Sequence, residues 1–565
     1  MGTTMGNGHN GEWDAIVVGA GFGGLVCAAY LAVGGLRVLV LEQGDIAGGN
    51  SHVFRRRRSY EFDVGVHYVG DAGSGGVLSA ILSGLGIGDR AGFEQMDRNG
   101  FDRIILPSLT VEVPADWSAY RERLKQALPE EQAGIDAFID VLVAVSSEQR
   151  SILLATEDLS PATLAAGAQT LLRWGSKSLT DLFDHCGLSP RARTVLAAQT
   201  PNYGLAPENA SVTIHSSMID QFMRGAYYPR GGSQVPVASM VEVIEAHGGE
   251  LRTRARVRRI LIEDRRVTGV ALADDSVITA PLVVSNADYR RTILELAGAE
   301  HFNKSLVAKT RDAEMARPFP AVYIGLDREL PEWSNANVWW YRDEDIEESY
   351  RRVATGDVDD VPFLFVSVAS TKDPGSRWSC PPGHTNIQLL TTCPPGYDRW
   401  GVDSGPADGG AYRRNPSYQA GKARLTEAVL SVAERILGPL REHIVHLETA
   451  TPLSQERYTL SSGGTPYGLA RWGAKGSRPD VRTSVEGLYV VGQNTRYGSG
   501  ITGVSLGGIT CAGQILGRRL LGEAHAGAVL GDPALLPDRP GDWDPLAVSR
   551  GAARAGRRGP DRIHA

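Results

Sequence analysis

Gly19, Gly21 and Gly24 stand in the spacing GxGxxG, directly after the apolar run 15–18. Each glycine has its own physical job in such a turn. Gly19 permits the tight bend, Gly21 lets backbone approach a pyrophosphate, and Gly24 lets the next helix pack close to the strand. A helix that starts here offers unpaired N–H groups and a partial positive charge to phosphate oxygens. A second apolar run, 37–41, ends in Glu42. A carboxylate at that place accepts hydrogen bonds from both hydroxyls of an adenosine ribose and repels a 2′-phosphate. The chemistry these residues support is the binding of a dinucleotide, with NADP disfavoured in this cleft.

These residues need a strand, a turn and a helix to hold them. Residues 15–18 read as a buried parallel strand, 25–33 as a helix and 37–41 as a second strand, a β-α-β unit of about 30 residues. From 118 to about 224 the signal is helical, with Tyr120, Leu124 and Leu128, then Ile135, Phe138, Ile139 and Leu142, at helical spacing. This stretch is expected to form a helical cap. A turn at 227–233 precedes a helix over 235–246 and short strands at 256–262, 267–272 and 282–285. Between 300 and 480, strand-like runs at 321–326, 363–368 and 386–392 alternate with Pro- and Gly-rich spacers, and one helix lies near 426–437. A mostly antiparallel sheet is expected. Residues 487–517 repeat the strand, glycine turn, helix order. The tail from about 532 lacks periodicity and is expected to be disordered.

The chain has 565 residues, of which 67 are glycine, with 42% hydrophobic residues and a formal net charge of −7. That much apolar content, in ordered runs, excludes a disordered or collagen-like chain, and the charged residues exclude a multi-span membrane protein. The one dense basic run, Arg55 to Arg58, is too short for a phosphate-backbone binder, so no nucleic-acid partner is expected. It is expected to be a solvated loop, with peripheral attachment to anionic lipid as the alternative. Five widely spaced cysteines fit neither a disulfide framework nor a metal site and point to a reducing, cytoplasmic setting. No metal is expected.

Further motifs narrow the reading. Gly48-Gly49 follow Glu42 after a short spacer, and a second glycine cluster runs from Gly498 to Gly508 after the strand-like 487–492. The two clusters resemble the extended fingerprint of the glutathione-reductase and amine-oxidase class of FAD proteins. FDVGVHYVG at 62–70, YPRGG at 228–232, SNA at 285–287, the stretch from Thr451-Pro452 through Glu456-Arg457-Tyr458 to Tyr467-Gly468, and GITGV at 500–504 resemble the same elements of phytoene desaturases, carotenoid isomerases and retinol saturases. The resemblance covers residues 14 to about 520. It implies an α/β fold: a Rossmann-like FAD-binding domain with an inserted α+β substrate domain made of a mixed antiparallel sheet and a helical cap. The expected division is FAD domain 13–95, 229–298 and 481–525, helical cap region 96–228, substrate domain with its sheet 299–480, and tail 526–565.

The resemblance also implies non-covalent FAD, held by Gly19, Gly21, Phe22, Gly23, Gly24, Glu42, Gln43, Gly49, Asn50, Ser51, Val257, Gly492, Gly503 and Val504. NADPH is a candidate transient electron donor. Few acid–base residues are needed, because the flavin carries the hydride step. His67 is a candidate to donate a proton or orient a substrate. Tyr497 and Arg496 are candidates for an acid or for binding an anionic group. Asp63 and Trp339-Trp340 are expected to be structural. The leading reading is an oxidoreductase that desaturates, saturates or isomerises a lipophilic polyene. The alternatives are a natural-product enzyme acting on a polyketide-type polyene, including reductive cyclisation of a polycyclic tetramate macrolactam precursor, and a flavin-free binder of prenylated proteins of the GDP-dissociation-inhibitor type. The stretch 311–410 is rich in aromatic and charged residues (Trp339, Trp340, Asp343, Glu344, Asp345, Glu347, Glu348), which suggests a substrate with a polar or anionic end.

Overall fold

A computed structural model describes residues 12–155, 160–330, 332–405, 409–471 and 478–551. Five short parallel strands form the first sheet, in the order Glu250–Arg252, Val38–Leu41, Ala15–Val18, Leu282–Ser285, Leu488–Val490. They come from three distant parts of the chain. Side chains alternate across the sheet as the pleat requires: Ala15 and Val17 join the core under the helices, Ile16 and Val18 the core on the opposite face. Helices Phe22–Val33, Gln234–Ala246 and Gly500–Leu516 cover the first face. The helices Phe22–Val33 and Gly500–Leu516 approach backbone to backbone at Gly23 and Gly508, since a Cβ on Gly508 would stand 2.5 Å from the Gly23 carbonyl oxygen. The opposite face carries the antiparallel sheet Val257–Glu263, Arg266–Leu272, Val277–Thr279.

A seven-stranded sheet forms the second layer, in the order Ile444–Ala450, Ala321–Leu326, Thr385–Leu390, Phe363–Val368, Asn337–Tyr341, Asp102–Ile105, Thr110–Val113. Its pairs are antiparallel except Asn337–Tyr341 with Asp102–Ile105. One face packs on the helix Pro416–Leu437 through Val338, Leu364 and Val366. The other presents Trp339, Phe363 and Phe365 to the helices between Trp117 and Met223. These cap helices roof that face of the sheet.

Three expectations change. The segment 96–228 is not purely helical: its strands Asp102–Ile105 and Thr110–Val113 complete the substrate sheet. Four-residue strands around a Pro107-Ser108 turn are too short to show a period of two. The tail is ordered as far as Gly551. Trp543 Nε1 donates to Glu242 Oε1 at 2.8 Å, Asp544 takes both outer nitrogens of Arg55, and Ser549 Oγ accepts from Gln234 Nε2 at 2.7 Å. Its order rests on single specific contacts, which periodicity does not register. Residues 552–565 lie outside the described residues. Third, the run Arg55 to Arg58 is a hairpin corner. Arg55 pairs with Glu61 and Asp544, Arg56 pairs with Glu448, and only Arg57 and Arg58 stay exposed, in the turn. Among the described residues, no helix is long and apolar enough to cross a membrane and no side-chain group could hold a metal ion.

Candidate active site

The strand Ala15–Val18 delivers the chain to Gly19, whose φ of +93° only glycine adopts without strain. The helix that follows has Gly21 at its N-cap, no capping side chain and no acid in its first turn. Its first N–H groups are thus left for an anion. A Cβ on Gly21 would come within 2.6 Å of Asn286 Nδ2, and one on Gly24 within 2.6 Å of the Gly19 carbonyl oxygen. Beside this turn lies a cavity of about 300 Å³. Gly19, Gly21, Phe22, Gly23, Glu42, Gln43, Gly49, Asn50, Ser51, Val257, Gly492 and Val504 all line it. Gly24 sits beneath it as the helix–strand contact, and Gly503 lines the neighbouring, larger cavity.

Glu42 is held by the backbone: Oε2 accepts from the Ala20 N–H at 2.9 Å and Oε1 from the Gly44 N–H at 2.7 Å. Burial raises its carboxyl above the ordinary value, and these N–H groups oppose that rise. A carboxylate has about four acceptor sites, so two remain for ribose hydroxyls. The turn, the helix start and this carboxylate fit FAD at one end. The second glycine cluster and the segment 64–67 close the cavity at the other.

A larger cavity of about 1230 Å³ is walled by the cap, by residues between 65 and 71 and between 496 and 522, and by Trp339, Phe365 and Leu390 of the seven-stranded sheet. The two cavities share Gly65, Val66, His67, Phe319, Leu390, Tyr467, Gly500 and Ile501 in their walls. His67 is 7% exposed, and neither ring nitrogen has a hydrogen-bond partner. Burial, helped by the charge of Lys372, pushes its pKa down to about 3. The imidazole is neutral, with one N–H to donate and one lone pair to accept. An unpaired polar ring in a packed interior is costly.

Arg496 and Tyr497 line only the larger cavity. The Arg496 guanidinium is 3.1 Å from Asp480 and donates to the Tyr497 hydroxyl at 3.3 Å. Asp63 is structural, accepting from the Ser233 N–H and hydroxyl and from the Tyr228 hydroxyl. Trp339 is both core and cavity wall, its Nε1 donating to Asp102. The acids at 343–348 do not line the cavity. Asp343 pairs with Arg342 and Arg352, Asp345 caps a helix, and Glu347 and Glu348 meet Arg193 and Arg351. Charge in the cavity wall comes instead from Asp71, next to the segment 65–70, and from Arg150, Asp220 and Arg224 of the cap. Reading from sequence also passed over Phe319, Phe365 and Leu390 as cavity wall, and the buried Lys372. Isolated residues on separate strands, a loop and a short helix carry no local signal.

The neutral state of His67 has a consequence for stability. A histidine whose folded pKa lies below its unfolded value binds less proton than the unfolded chain as pH falls through about 6.5. Stability is then full above that range and is lost toward acid. His215 is likewise buried and pushed down to about 3. At pH 5 each histidine lowers stability by about 2 kcal/mol relative to neutral pH. Thermal denaturation at pH 7 and pH 5 should show a smaller acid loss in His67→Leu than in the natural protein; equal losses would mean that the His67 site protonates freely.

The fold and the dinucleotide site define an FAD-dependent oxidoreductase. Residues 22–348 match the family model for flavin-containing amine oxidoreductases, and the chain belongs to that family. Similarity to individual proteins spans nearly the whole chain. It is 29% identical over 547 residues to the all-trans-retinol 13,14-reductase of Homo sapiens, covering 90% of this chain and 86% of that one. It is 26% identical over 533 residues to the chloroplastic prolycopene isomerase of Daucus carota, covering 91% and 81%. Among solved structures, an oxidoreductase from Methanosarcina mazei superposes with a TM-score of 0.59 at 18% identity, covering 88% of this chain and 99% of that one.

Proposed function

We propose that this flavoenzyme acts on a lipophilic polyene of the retinoid or carotenoid kind, adding, removing or relocating hydrogen along its conjugated chain. The observation that carries the proposal is the meeting of the two cavities at His67. The larger exceeds the ordinary range of small-molecule pockets, roughly 300–1,000 Å³. Its wall carries a group of apolar side chains: Val66, Phe222, Phe319, Trp339, Phe365 and Leu390. It also carries an ion-paired group, Asp71, Arg150, Asp220 and Arg224. A polyene with one polar end fits this mixed lining better than a hydrocarbon apolar at both ends. The full-length similarity to a retinol reductase and a prolycopene isomerase supports the same substrate class.

When bound, FAD supplies hydride transfer at its N5. The chain supplies the rest. The apolar wall excludes water and holds the polyene edge against the shared rim of the cavities. The neutral His67 ring orients a polar atom there or faces charge that develops on the polyene. The α/β unit formed by 13–95, 229–298 and 481–525 would hold the cofactor, and 96–228 with 299–480 the substrate. Arg496 and Tyr497 would meet the substrate away from the cofactor. NADPH is proposed as the source of electrons for saturation, arriving transiently.

The test is direct. FAD-loaded protein, reduced without oxygen, is mixed with all-trans-retinol. The expected result is a product heavier by two hydrogens, or an isomer of unchanged mass. Neither product, together with no spectral sign of binding by retinol or a carotene, would overturn the substrate class.

A further inference from the structure

Lys372 and Asp102 are enclosed within the protein, at 3% and 0% exposure. One amide joins them. Asn337 Oδ1 accepts from Lys372 Nζ at 2.5 Å, and Asn337 Nδ2 donates to Asp102 Oδ1 at 2.9 Å. Lys372 Nζ also donates to Ser367 Oγ at 2.7 Å and to the His67 carbonyl at 2.7 Å. Three acceptors match the three N–H donors of an ammonium group; an uncharged amine has two. Asp102 Oδ2 accepts from Gln199 Nε2 at 2.6 Å, Trp339 Nε1 at 3.0 Å and the Tyr68 hydroxyl at 3.1 Å.

Burial opposes both charges, pushing Lys372 down to about 7 and Asp102 up to about 6. A buried pair of this kind is often matched or bettered in stability by apolar residues of similar volume. Core stability is therefore a poor reason for its presence. The partners suggest a better one. The ammonium holds the main chain of His67, and the carboxylate holds the side chain of Tyr68, the next residue. Both residues line the large cavity, and His67 also lines the cofactor cavity.

We propose that Lys372 and Asp102, linked through Asn337, are positioning residues: a clamp that fixes residues 65–69 and sets the His67 ring where the cofactor and substrate cavities meet. Lys372 holds the segment by its backbone and Asp102 by the Tyr68 hydroxyl, so loss of either lets it shift. The clamp acts through His67 and touches neither cavity at its own charged atoms. It rests on the FAD site and not on the identity of the substrate, so failure of the polyene reading leaves it standing.

The test uses FAD-loaded protein and needs no substrate. Lys372→Met, Asp102→Asn and the double variant are compared by the visible circular dichroism of bound FAD, the FAD dissociation constant and the melting temperature. Each single variant should alter the flavin band and weaken FAD about tenfold, and the double variant should be no worse than the worse single. Leu389→Ala, a core deletion on the opposite face of the same sheet, should lower the melting temperature without altering the band. Ser367→Ala removes one acceptor and no charge, so it keeps the test open if the charge variants fail to fold. It should move the band in the same direction by less. A natural band and FAD affinity in the charge variants, effects of the two that multiply, or a natural band in Ser367→Ala would each overturn the clamp.

Discussion

Replacing His67 with leucine should lower polyene turnover by about 100-fold while leaving the melting temperature at neutral pH unchanged or higher. The two effects differ in sign because the imidazole is solvent-excluded and both its nitrogens lack partners. An apolar side chain of similar size removes polar atoms that the fold leaves unpaired, which is neutral or stabilising. It also removes a hydrogen-bonding side chain from the segment where the two cavities meet. Misplacing a reacting group by about an ångström is enough for a loss of about 100-fold. The measurements are steady-state turnover with the polyene and thermal denaturation with and without FAD. Unchanged turnover would make His67 a packing residue, and a sharp drop in melting temperature would show that its nitrogens have partners in solution.

Glu42→Ala should weaken FAD by about two orders of magnitude, about 3 kcal/mol. Two losses combine. The ribose hydroxyls lose a charged acceptor, and the N–H groups of Ala20 and Gly44 lose the carboxylate that pairs them. Glu42→Gln keeps one carbonyl oxygen in place and should fall between the natural protein and alanine. Flavin content after purification and fluorescence titration with FAD read the effect. The melting temperature of the flavin-free proteins separates the ribose contact from damage to the turn. An alanine variant that retains a full complement of FAD would show that the ribose lies elsewhere.

The cofactor half of the site was legible because its signals are local. Gly19 needs a positive φ, Gly24 faces backbone, and Glu42 ends a strand, and each follows from a residue type at a short spacing. The substrate half was not legible in that way. His67 drew attention from its motif, yet its lack of partners arises from how the sheet and the cap pack over it. Phe365 and Leu390 come from two paired strands and Phe319 from the loop before a third, Ala321–Leu326, and they meet only because those strands pair. The acids at 343–348 suggested a polar substrate end, but a helix cap and surface arginines account for them. Arg150 and Arg224 of the cap bring charge to the cavity wall instead.

The sequence by itself determined the cofactor chemistry, since backbone conformation at glycine and the placing of one carboxylate are properties of a few consecutive residues. It also pointed to a parallel unit at the glycine turn, through its strand, turn and helix order, and to a sheet between 300 and 480 through its apolar runs. Only the tertiary structure decided that two cavities meet at an unpaired histidine, that the tail closes over the cofactor domain as far as Gly551, and that a buried lysine and aspartate bear on one short segment. These depend on contacts between residues hundreds of positions apart, such as Lys372 with His67 and Gln234 with Ser549. Such pairings follow from the packing of whole layers, where no short stretch of chain carries the information.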